Sequence, residues 1–168
     1  MKDKNYITTL IDYNAWANAE MYKAVLELPR EEIVKERQSL LKSILVNLNH
    51  LLVVDKIWMA HLQGVDHGMQ ELRAVLYDDI EDLWRARQTM DDEIKAYVAA
   101  LEAPVLEEEV SYELLGGNKG KLSRAMILTH LAMHGSYHRG WIADMFGQVP
   151  LRPPTMDIPV YERALRSA

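Results

Sequence analysis

Three histidines recur at four-residue intervals in HLAMHGSYHRG, residues 130–140: His130, His134 and His138. Residues at i and i+4 project from the same side of a helix, so an adjacent pair here is suited to gripping one metal ion. All three cannot reach a single ion, because His130 and His138 lie roughly 12 Å apart along a helix axis. Spacing alone leaves either pair, His130 with His134 or His134 with His138, as the chelate. A further ligand must come from elsewhere. The face bearing His134 and His138 also carries Ile127, Leu131, Trp141, Ile142 and Met145, which turns these imidazoles toward a core. Gly135 and Gly140 flank the pair; a glycine inside a helix costs about 1 kcal/mol relative to alanine and calls for close packing or space for a ligand.

The missing ligand is His50. In VNLNHLLVVDKIW, Val46, Asn47, Val54 and Ile57 surround it at helical spacing, again on an inward face and near mid-helix. Three buried, unpaired imidazoles are costly, and a divalent cation satisfies them together. His61 shares that stripe but lies about 16 Å along the axis, too far to join. His67 falls in the polar loop GVDHG and reads as solvated. Asp55, rotated about 140° from His50, reads as solvated or salt-bridged. Asn47, one turn before His50, is either beside the metal or a hydrogen-bonder within its helix. Tyr137 is about 100° off the histidine face and is assigned to core packing. Near an unperturbed imidazole pKa of about 6.5, protons compete with metal, so affinity is expected to weaken as pH falls through that region.

Four long segments without internal proline position these residues. They run from about Asp3 to Leu28, from about Ser39 (a candidate N-cap) to Gln63, from near Asp78 and Asp79 to just before Pro104, and from about Leu122 to Phe146. Pro29, Gly64, Gly147 and Pro150 read as stop signals. The fold class is therefore all-α, a four-helix bundle in a single domain spanning 1–168. The connector 64–78 could stretch roughly 50 Å, against about 37 Å for the second helix, so a crossover topology is open. EEEVSYELLGGNKGKL predicts a short hairpin or extended loop before the last helix. The proline-rich PLRPPTMDIPV predicts a rigid coil ending in a short turn of helix.

Composition narrows the function classes. The 168 residues carry a formal charge of −6 and include no cysteine. No Lys/Arg run offsets the acidity, which argues against nucleic acid and anionic membranes as partners. Without cysteine, imidazole and carboxylate are the available metal ligands, and no cysteine nucleophile exists. The most apolar stretch is broken by Asn, His, Asp and Lys and makes a poor membrane span. The amino-terminal sequence lacks a leader-like apolar core, and a cytoplasmic location is expected. Four tryptophans, with Met21, Met59, Met69 and Met90, are more apolar bulk than one small core readily buries, which predicts a homodimer through helix faces.

Together YNAWAN (13–18), NHLLVVDKIWMAHLQG (49–64), HGSYHRG (134–140) and the ending PPTMDIPVY resemble the DinB-like family, also known as YfiT-like metal-dependent hydrolases. The resemblance covers nearly the whole chain. It implies a four-helix bundle with up-down-down-up crossover topology and a metal, zinc or nickel, on His50, His134 and His138. It also implies a dimer, and a reaction resembling hydrolysis or thiol transfer with a low-molecular-weight thiol of the bacillithiol or mycothiol type. The competing expectations are an enzyme activating water or a small thiol, a non-catalytic metal-binding or ligand-sensing protein, and a metal-free bundle with core histidines. The sequence identifies no general base.

Overall fold

The computed structural model describes residues 3–149 and 151–167. It is mostly helical, with one small two-stranded sheet. The first helix, α1 (Lys4–Leu26), starts where the Asp3 carboxylate accepts the Asn5 amide at 2.9 Å. Its buried stripe, Ile7, Ile11, Asn14, Asn18, Met21 and Val25, recurs at three- and four-residue steps, with two asparagines set among the apolar groups. Pro29 then precedes a one-turn helix, α2 (Arg30–Val34), which the periodicity did not predict.

The next long helix, α3 (Ile44–Gln63), begins later than expected. Ser43, not Ser39, is its N-cap, its hydroxyl accepting the Val46 amide at 3.2 Å; residues 38–43 form a bent loop in which Arg37 N donates to Lys42 O. Gly64 closes the helix at φ +71°, a left-handed conformation suited to glycine. Almost every α3 side chain is buried, Gln63 being the exposed one, as for a helix covered on all sides. The helix α4 (Ile80–Ala100) starts at Asp79, whose carboxylate accepts from the amides of Glu81 and Asp82. Pro104 lies in a short 3₁₀ turn, Ala103–Glu107.

The segment before the last long helix is a hairpin. Strand β1 (Glu109–Glu113) pairs antiparallel with β2 (Lys119–Ser123), Val110 facing Leu122 and Tyr112 facing Gly120. Leu122, the expected start of the last long helix, is therefore in a strand. Ser123 ends β2 and caps α5 (Arg124–Met145). Pro150, an expected stop signal, lies outside the described residues. After the proline-rich coil, α6 (Ile158–Ser167) is longer than the single turn expected. It docks through Tyr161, whose ring lies 5.7 Å from Tyr13 and 5.3 Å from Trp16.

Among the long helices, α1 packs against α4 and α5, and α3 packs against the same two. The core runs between them, through Met21, Leu48, Leu52, Leu83, Ile94, Leu128 and Leu131. Met21, Met59 and Met90 belong to this core and are at most 4% exposed, so they supply no apolar surface. The tryptophans also find partners within the chain: Trp84 stacks on Tyr22, and Trp58 meets Tyr112 and His130. Among the described residues, the exposed methionines are Met126 and Met133 on α5. Among the described residues, no helix is long and apolar enough to cross a membrane.

Candidate metal centre

The seam between α3 and α5 brings His50, His134 and His138 together. One nitrogen from each ring lies within 4.8 Å of the others, and the ring centroids are 4.4–5.2 Å apart. Tetrahedral zinc takes imidazole nitrogens at about 2.0–2.1 Å, which places such nitrogens roughly 3.3 Å apart; small side-chain rotations separate the two arrangements. Among the described residues, no fourth histidine or carboxylate joins the group.

Nδ1 of His50 donates to the carbonyl oxygen of Leu72 at 2.7 Å. A carbonyl only accepts, so the proton sits on Nδ1 and the lone pair on Nε2 is free for the cluster. Nδ1 of His134 and Nδ1 of His138 are buried with no hydrogen-bond partner among the described residues. Desolvation drives the imidazole pKa of His134 down to about 3, helped by His138, His50 and His130. Desolvation, then His50, brings His138 to about 4. Both rings are thus neutral and ready to bind a cation at pH values where an unperturbed histidine carries a proton. The expectation that proton competition sets in near 6.5 does not apply to these two residues.

His130 stays outside the group. Its ring is 5.4 Å from His134 but sits edge-on to Trp58 at 5.2 Å. His61 is farther along α3, beside Trp58, Tyr112 and His67. Nδ1 of His67 accepts the Met69 amide, so this loop histidine is partly tied down. Asn47 donates to the Ser43 carbonyl at 2.9 Å, a bond within its own helix. Tyr137 does not pack in the core: it is 60% exposed, with its ring against His138 and Trp141.

Asp55 is salt-bridged, and it opens a buried polar chain across all four long helices. Arg87 on α4, 1% exposed, pairs with Asp55 at 2.6 Å and Asp91 at 3.0 Å. Asn18 on α1 donates to Asp91 and accepts from Arg139 of α5, which also donates to Asn14. Burial raises the Asp91 carboxyl to about 6 against the pull of Arg87. Gly135 is explained here: a Cβ would stand 2.5 Å from Asn14 Oδ1 and 2.7 Å from Arg139 Nη1. Gly140 has open space around it.

The sequence reading missed two parts of this arrangement. The Leu72 carbonyl has no side-chain signature. Arg87 and Asp91, by contrast, were visible as charges within the stripe Leu83, Arg87, Met90, Asp91, Ile94 and Val98, all buried.

Against known proteins, the family model described as DinB family matches residues 1–166. A curated relative, Protein DinB of Bacillus subtilis (strain 168), is 26% identical over 161 residues, covering 90% of this chain and 91% of the relative.

Proposed function

The chain belongs to the DinB family, and on that premise we propose that it binds a divalent ion, zinc or nickel, through His50, His134 and His138 and uses it in catalysis. The observation carrying this reading is the convergence of three imidazole nitrogens within 4.8 Å, with no fourth His or carboxylate among the described residues. Two buried Nδ1 atoms without partners and two imidazoles held neutral suit a cation better than a packed core. A divalent ion so held leaves room for an exogenous ligand and lowers the pKa of a water or thiol brought to it.

The chain's own residues divide the remaining work. Leu72 fixes the tautomer of His50, and the α5 spacing holds the other two rings at one depth. With no cysteine in the sequence, any thiol must arrive as a small cosubstrate. The same reading takes 1–168 as one cytoplasmic domain and the packing of α1 and α3 against α4 and α5 as a crossover four-helix bundle. A homodimer would use the α5 surface bearing Met126 and Met133.

A second reading keeps the metal without turnover. It is favoured by the His50–Leu72 bond, through which an ion would stabilise the long connector. Metal content by elemental analysis comes first: about one ion per chain is expected, with loss in His50→Ala. Failure to take up zinc or nickel after loading overturns both readings. Hydrolysis or thiol transfer that stops with chelator and returns with metal supports the enzyme. Chelator-sensitive stability without turnover supports the second.

A further inference from the structure

A cavity of about 320 Å³ is lined by Gly140, Trp141, Asp144 and Met145 of α5 and by Gln38, Ser39 and Leu40 of the loop before α3. Trp141 links it to the histidine cluster, since its ring is 4.9 Å from His138 and also lines the cavity. Tyr137 extends the surface outward, 5.0 Å from Trp141 and 5.3 Å from His138. Two aromatic rings thus border one imidazole of the cluster, and the outer one is largely solvent-exposed. Arg37 is buried and anchors the wall formed by residues 38–40, donating to Glu32 Oε2 at 2.7 Å and to the carbonyls of Glu32 and Lys35 at 2.9 Å. Trp141, Met145 and Leu40 supply the apolar part of the lining and Gln38, Ser39 and Asp144 its polar groups, a mix found in small-molecule sites.

We propose that Tyr137 and Trp141 form a specificity shelf for a small molecule whose flat apolar body packs on these rings while one end reaches the histidine cluster. Such a body is an aryl or other planar hydrocarbon group, which meets aromatic faces by offset stacking or edge contact. The polar groups of the cavity, Gln38, Ser39 and Asp144, receive a hydrogen-bonding group at the far end. This inference rests on the metal reading above and assigns its substrate class.

The test uses two metal-binding probes on zinc-loaded protein, acetohydroxamate and benzohydroxamate, with affinities measured by calorimetry. Benzohydroxamate is expected to bind at least tenfold more tightly. Tyr137→Ser should reduce that advantage, and Gly140→Leu, which fills the open space beside the shelf, should abolish it. Acetohydroxamate affinity should change less than twofold in both variants, which also verifies that each retains its metal and fold. Equal affinity for the two probes, or an aryl preference unchanged in both variants, overturns the shelf. Absence of binding by either probe to protein with a full zinc complement overturns the open metal site itself.

Discussion

The Nδ1 of His50 and the carbonyl oxygen of Leu72, 22 residues apart, are joined by a 2.7 Å hydrogen bond. The residue just before His50 secures the same connector: Asn49 Oδ1 accepts the amides of Leu76 and Tyr77 at 2.8 and 3.0 Å, and its Nδ2 donates to Tyr77 O at 2.9 Å. Asn49→Ala should free the connector and let the His50 ring turn. Loss of a partner behind a metal-binding histidine typically costs about 10–100-fold in metal affinity, and a drop in that range is expected for zinc in competition with a chromophoric chelator. Cleavage in 64–79 by a nonspecific protease should become faster in parallel. Unchanged affinity would show that the connector does not position His50.

The depressed pKa values of His134 and His138 set a pH dependence. In the unfolded chain these residues take up protons near 6.5; in the folded, metal-free chain they do so near 3 and 4. Between those limits the unfolded state binds more protons, so metal-free stability is fully present above about 6.5 and declines as pH falls toward 4. Asp91, raised from 3.8 to about 6, acts in the opposite sense between those values and offsets part of the loss. Urea titrations of chelator-treated protein at pH 7 and pH 5 should show the lower midpoint at pH 5.

Metal binding should resist acid for the same reason. Between pH 7 and 5 the two α5 imidazoles, held neutral by burial, have no proton to release. At most about one proton per ion should be displaced over this range, read from calorimetry in buffers of different ionisation enthalpy. Release of two or three protons would contradict the depressed values.

Gly135 and Gly140 provide a matched pair on one helix. Gly140→Ala meets nothing within 4 Å and should stabilise the protein by about 1 kcal/mol through helix propensity. Gly135→Ala pushes against Asn14 and Arg139, both held by buried hydrogen bonds. Overpacking of this kind costs about 1–3 kcal/mol, so the two variants should shift the melting temperature in opposite directions.

Arg87→Met leaves Asp55 and Asp91 buried without their common cation, a loss of about 3–5 kcal/mol. Adding Asp55→Leu and Asp91→Asn removes the stranded charge and should recover much of the denaturation midpoint. A mild single variant would mean that water reaches the pair.

The histidine group was legible in the sequence because helical periodicity fixes direction: the i, i+4 pair and a mid-helix histidine each sit in an apolar stripe. Choosing His138 over His130 needed family resemblance, since both pairs have identical spacing. In the structure His130 is set apart by Trp58, whose ring it meets edge-on at 5.2 Å. The start of α3 was misplaced because Ser39 and Ser43 are equally good caps locally; the loop bond from Arg37 N to Lys42 O decides for the second. Tyr137 was assigned inward by default, although its angular offset from the histidines already pointed to the surface. Arg87 pairs with a residue 32 positions away, a distance at which spacing carries no information.

The polar chain through the core also constrains the order in which the molecule can assemble. Asn14 and Asn18 are made well before their partner Arg139, which lies 125 and 121 positions later. Until α5 is made, the amides on the inward face of α1 have no guanidinium to meet, and water is their natural partner. Docking α1 against α4 alone would close Asn18 onto Asp91 but strand the remaining amide oxygens. α1 thus gains its full set of buried hydrogen bonds only once α5 is in place, and closing so long a loop is a slow step for a helical protein.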